Sequence, residues 1–107
     1  MASQLRPVVI DSGPHPDVSV IFVHGLGTSG EHYEPLARQL GAKVSRPVRF
    51  VLPTAPQRRV EMCNGQVVAA WFDLLTPDFN QCVDIQGIHD AEEVLDRLIQ
   101  CEIDAGR

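Results

Sequence analysis

An α/β domain, with a mostly parallel sheet flanked by helices, is the fold class that the sequence predicts, and three observations carry it. Residues 18–23, Val-Ser-Val-Ile-Phe-Val, are a nearly continuous apolar run rich in β-branched side chains. That pattern suits a strand covered on both faces. A short amphipathic stretch and a second apolar run, Val48–Leu52, come next. Strand, helix, strand is a βαβ unit, whose crossover is right-handed into a parallel pair. Residues 87–105 then show the apolar stripe of a long helix. At 107 residues the chain makes one domain at most, with an adequate core.

Taken in order, residues 5–10 read as an opening strand, closed by the turn signals Asp11-Ser-Gly-Pro-His-Pro16. Residues 31–40 form the short helix, with Tyr33, Leu36, Ala37 and Leu40 on one face and Gly41 as its expected stop. Glu31 and Glu34 lie in its first turn, where they favour the positive end of the helix dipole, and Ser29 is its expected cap. Pro53 ends the strand Val48–Leu52. Between residues 54 and 71 the pattern is irregular, but 60–63 and 66–68 flank Asn64-Gly65, a strong type I′ hairpin signal. Residues 72–84 read as loop. In the last helix Ile88, Ala91, Val94, Leu95, Leu98 and Ile99 make the stripe, while Glu93 and Arg97 pair on the outside. Gly106 is its expected stop.

Bulk properties remove several function classes. The formal net charge of −5 leaves no basic footprint for nucleic acid. No apolar run approaches the roughly 20 residues of a membrane span, and the first residues carry no apolar core of a signal peptide. Cys63, Cys82 and Cys101 are an odd number at wide spacings, matching neither a disulfide framework nor a zinc site. They are expected to be reduced thiols of a cytoplasmic protein.

The chemistry concentrates where the first long strand ends, in His24-Gly25-Leu26-Gly27-Thr28-Ser29-Gly30. A glycine-rich turn between strand and helix aims backbone N–H groups at a point where an anion or a developing oxyanion can sit. Gly25-Leu-Gly27-Thr-Ser-Gly30 satisfies G-x-G-x-x-G, so a dinucleotide-binding βαβ unit is one reading. It lacks the acidic residue that should end the second strand, where Pro53-Thr-Ala-Pro56 stands instead. His24 is also bulky where the first turn should be tight, and a strand precedes the motif.

Ester hydrolysis explains more. His24-Gly25 after an apolar strand resembles the oxyanion-hole loop of α/β-hydrolases. His24-Gly-Leu-Gly27-Thr-Ser-Gly30 resembles the HGLGDSG-type motif of the carboxylesterase and acyl-protein thioesterase family. Phe50-Val-Leu-Pro53-Thr-Ala-Pro56 resembles its strand ending in P-x-A-P, and Asn64-Gly65 followed by Ala70-Trp71-Phe72-Asp73 resembles its hairpin and W-[FY]-D segment. Three motifs in order make the resemblance specific from about residue 8 to 107. Thr28 stands where that family commonly has Asp, and Ala70 where it often has Ser.

The resemblance implies an acyl-serine mechanism on a small ester or acyl thioester substrate, with no metal or organic cofactor. The backbone N–H of Leu26 would be an oxyanion donor, with His24, Gly25 and Gly27 supporting the loop and Thr28 and Trp71 on the substrate side. Asp73 would anchor its loop. His15, His32 and His89 are expected on the surface without meaningful partners. None of the five serines sits in G-x-S-x-G, the nucleophile motif. The chain therefore reads as the N-terminal half of an α/β-hydrolase, a partial domain over 1–107 that stops before the nucleophile elbow. Alone it is expected to be catalytically silent. A non-catalytic interaction module is the alternative, since an unfinished sheet exposes an edge that favours self-association.

Overall fold

The computed structural model describes residues 6–78 and 83–107. Cys82 and the first residue of the expected opening strand lie outside them. Among the described residues the strands and α-helices follow in order: β1 (Val8–Asp11), β2 (Val18–Ile21), α1 (Glu34–Lys43), β3 (Val48–Leu52), β4 (Gln57–Val60), β5 (Gln66–Ala69) and α2 (Ile85–Asp104).

β1, β3 and β2 form a three-stranded sheet in that order. β2 and β3 are parallel, with Val20 opposite Phe50, as the βαβ reading requires. β1 runs antiparallel to β3, with Ile10 opposite Phe50, so the sheet is mixed. Alternation along β3 divides the molecule into layers. Val48, Phe50 and Leu52 point to α1, where they cluster with Ile10 and Ala37 and are flanked by Val8 and Phe22. Arg49 and Val51 point the other way, to the face where Glu102 of α2 takes a hydrogen bond from Ser19.

β2 is an edge strand among the described residues, and its residues are half-buried or exposed, which corrects the expectation of a strand covered on both faces. Val20 and Val23 are each 40% exposed. The stripe of α2 is half-covered: Ile88 and Ile99 remain exposed.

Gly41 does not stop α1, which continues to Lys43. It lies buried inside the helix, where a β-carbon would stand 2.8 Å from Ser12 Cβ and 3.3 Å from the Phe50 ring. Glycine is needed there for the approach of helix to sheet. The helix also starts later than expected, because Glu31–Tyr33 wind as a 3₁₀ turn before Glu34. Ser29 Oγ accepts from the His32 N–H at 3.2 Å and caps that turn.

The hairpin is present with a longer connection. β4 and β5 pair from Gln57 opposite Ala69 to Val60 opposite Gln66. Glu61–Cys63 wind into a 3₁₀ turn rather than extending the strand, and left-handed Asn64 (φ 57°) and Gly65 (φ 71°) close it.

Candidate active site

The site is the loop that leaves β2, and its centre is His24, buried to 3% exposure. Its Nε2 accepts from the Ala55 N–H at 2.9 Å, which assigns the ring proton to Nδ1. Nδ1 then donates to the Gly25 carbonyl at 2.6 Å. The Thr28 hydroxyl donates to the same carbonyl at 2.8 Å and lies 3.2 Å from Nδ1. The Thr28 N–H reaches it as well, at 3.3 Å.

The segment Trp71 and β5 hold the loop from the other side. The Trp71 indole Nε1–H donates to the His24 carbonyl at 2.9 Å, with the two rings 5.3 Å apart. The Gly27 N–H donates to the Ala69 carbonyl at 2.9 Å. Gly27 has φ 77°, a left-handed conformation that a side chain would strain. Between these fixed points the Leu26 N–H has no hydrogen-bond partner among the described residues. Next to it opens a cavity of about 230 Å³ lined by His24, Gly25, Leu26, Ala70, Trp71, Phe72 and Leu74. Its walls are almost wholly apolar.

Trp71 and Phe72 are shared with a second, larger apolar groove of about 430 Å³. Val23 of the β2 loop and Ile88, Ala91, Leu95 and Ile99 of α2 form its other walls, with Glu92 and Asp96 also lining it.

Charge near the site serves position. Asp84 caps α2, its carboxylate accepting from the N–H groups of Gly87 at 2.9 Å and Asp73 at 2.8 Å, with Arg58 at 3.5 Å. The N–H groups of Asp73 and Gly87, helped by Arg58, hold its carboxyl below the usual range against the cost of burial. Asp73 in turn accepts from the Glu61 N–H at 2.9 Å, the anchoring role expected of it. At the other end of α2, the hydrogen bond from Arg107 lowers the Glu102 carboxyl, helped by Ser19. Among the described residues no group of three or more His, Cys, Asp or Glu converges to hold a metal ion.

His24, Gly25, Leu26 and Trp71 thus come together around one cavity, and Gly27 lies beside them in the same loop. Thr28 does not line the cavity, since its hydroxyl turns to the Gly25 carbonyl. His89 has a surface partner that the sequence reading denied it, Glu92 at 3.6 Å. The reading also missed the Ala55 N–H and the Ala69 carbonyl. Ala55 lies within the Pro53-Thr-Ala-Pro56 motif, which was the available signal; backbone groups such as Ala69 leave none. The G-x-G-x-x-G reading loses its structural context, because α1 begins at Glu34 rather than at the turn.

Comparison with known proteins agrees. The profile of the phospholipase/carboxylesterase family matches residues 5–107. Acyl-protein thioesterase 1 of Cryptococcus neoformans is 33% identical over 109 residues, covering 99% of this chain and 45% of the relative. That of Kluyveromyces lactis is 37% identical over 107 residues, covering 95% and 46%. Acyl-protein thioesterase 2 of Zea mays superposes with a TM-score of 0.74 at 26% identity, over 89% of this chain and 40% of that one. Arabidopsis thaliana SOBER1 gives 0.75 at 28%, over 84% and 44%. The chain spans somewhat under half the length of the relatives it matches, and its fold is part of an α/β-hydrolase fold. Match, identity and loop geometry agree that this chain belongs to the phospholipase/carboxylesterase family.

Proposed function

We propose that the chain is the oxyanion-loop portion of a serine hydrolase acting on carboxylic esters or acyl thioesters. The observation that carries this reading is the Leu26 N–H, unpaired beside an apolar cavity in a loop fixed on both sides. Such a donor stabilises the tetrahedral oxyanion more than the ground-state carbonyl and is worth roughly 3 kcal/mol in a serine hydrolase. Trp71, Phe72 and Leu74 give the acyl part of the substrate an apolar wall. The nucleophile, base and acid of a triad are not among these residues, so the 107-residue chain is catalytically silent by itself. A cytoplasmic setting belongs to the same proposal, on three cysteines whose number and spacing match no disulfide framework.

Incubation of the purified chain with p-nitrophenyl acetate tests this. No release of p-nitrophenolate above buffer is expected, and turnover would refute the silence. The oxyanion reading is tested separately by titrating the chain with acetate and following backbone amides by NMR. The Leu26 amide is expected to shift first, and a Leu26 amide that stays still refutes it.

A second reading concerns association. Among the described residues β2 has one edge without a strand, and Val20 and Val23 beside it are exposed. Such an edge templates pairing with another chain. Light scattering after gel filtration should show concentration-dependent dimers or larger species, and Val20→Lys should return the chain to monomer. A wild-type chain that stays monomeric at high concentration rules this out.

A further inference from the structure

The Gly25 carbonyl is the most heavily bonded acceptor in the loop, with the His24 ring, the Thr28 hydroxyl and the Thr28 N–H all directed at it. This matters because of where its peptide partner points. The described chain has no cis peptide bond, and in a trans peptide the C=O and the following N–H point in opposite directions within one plane. The N–H across from the Gly25 carbonyl is that of Leu26. Donors that gather the carbonyl into the body of the loop therefore turn the Leu26 N–H outward, to the side of the cavity that Gly25 and Leu26 line.

We infer that Thr28 is a positioning residue: its hydroxyl locks the Gly25–Leu26 peptide plane so that the Leu26 N–H stays presented to the cavity. The inference rests on the oxyanion reading above for its purpose, but not for its geometry. Three observations favour Thr28 beside His24. The hydroxyl bond, at 2.8 Å, is aimed at the carbonyl itself, while Oγ1 also lies 3.2 Å from the ring Nδ1 and so fixes the imidazole that makes the neighbouring bond. Thr28 takes no part in the cavity wall, which leaves this contact as its visible role. Hydrogen bonds to a carbonyl also polarise the peptide and make its N–H a better donor, so the lock sharpens the same group that it aims.

The test is backbone relaxation on the 107-residue chain, comparing wild type, Thr28→Val and Thr28→Ser. Valine keeps the shape and removes the proton; serine keeps the proton. In wild type the Leu26 N–H order parameter is expected near the rigid value of about 0.85, and in the valine variant below about 0.6, with serine restoring it. Amides of β3 and α2 should stay at wild-type values in all three. An unchanged Leu26 order parameter in Thr28→Val overturns the inference, as does a serine variant that fails to restore it. Should the valine variant not fold, Thr28→Ala in the same comparison decides by the same readings. The acetate titration of the wild type stands apart: a Leu26 amide that is rigid but blind to acetate refutes the oxyanion reading and leaves the lock intact.

Discussion

His24 holds its loop through an arrangement that leaves little freedom of substitution. It sits almost fully buried with Nε2 facing one backbone N–H and Nδ1 facing one carbonyl. Replacing it with Phe keeps a ring but strands the Ala55 N–H inside the protein, at a cost of about 2 kcal/mol. The melting temperature is expected to fall by roughly 10 °C, read by circular dichroism. Trp71→Phe removes the bond to the His24 carbonyl together with part of the ring that packs on His24, and is expected to cost about 1 kcal/mol. The order of these two effects is the check: a tryptophan change that destabilises more than the histidine change contradicts the hydrogen-bond account. At this scale the sequence was informative where a motif names side chains. His24 and Trp71 stood out by type and place, whereas Ala55 and Ala69 act through backbone atoms that any residue carries.

Elements were legible in proportion to how far their own periodicity decides them. β3 and the long helix follow from local pattern, and the observed α2 differs from expectation chiefly in starting at Ile85. Gly41 was read by a local rule that tertiary contact overrode, since it serves packing within α1, whereas Asn64-Gly65 closes the hairpin as read, with a 3₁₀ turn lengthening the connection. The direction of β1 had no local signature either, since alternation marks a strand but not its partner.

α2 makes its own prediction. Asp84 caps its first turn, and Asp84→Ala should cost about 1 kcal/mol, seen as lost helical signal at lower temperature. The folded protein holds the Asp84 carboxyl below its ordinary value, mainly through the N–H groups of Asp73 and Gly87. The sign follows: stability from this group is full above the ordinary carboxylate pKa and is lost as pH falls through the lowered folded value. Glu102 at the other end behaves alike, through Arg107. Melting temperature should therefore hold steady above about pH 4 and drop below it, with a smaller drop in Asp84→Asn. An equal drop in that variant would place the acid-labile contact elsewhere.

The whole molecule is a layered sheet with α1 on one face and α2 on the other, and its two apolar hollows meet at Trp71 and Phe72. The sequence exposed the family and the βαβ unit. It did not expose how much of β2 and α2 lies bare, because the burial of a strand or helix depends on neighbours that its own residues do not encode. The bare β2 edge is where the association measurement bears, and a charged residue at Val20 is the substitution that should silence it.

The indole bond from Trp71 to His24 joins residues 47 apart in the chain. Contacts of such separation form only after a long loop has closed at an entropic cost. β2, α1 and β3 can dock before the hairpin is in place, with the turn present in outline but its donors not yet aimed. The aiming of the loop's donors is therefore expected to follow the docking of β2, α1 and β3. In pulse-labelled hydrogen exchange during refolding, the Gly27 amide should gain protection later than the amide of Phe50, and simultaneous protection would show that the turn takes its shape without the hairpin.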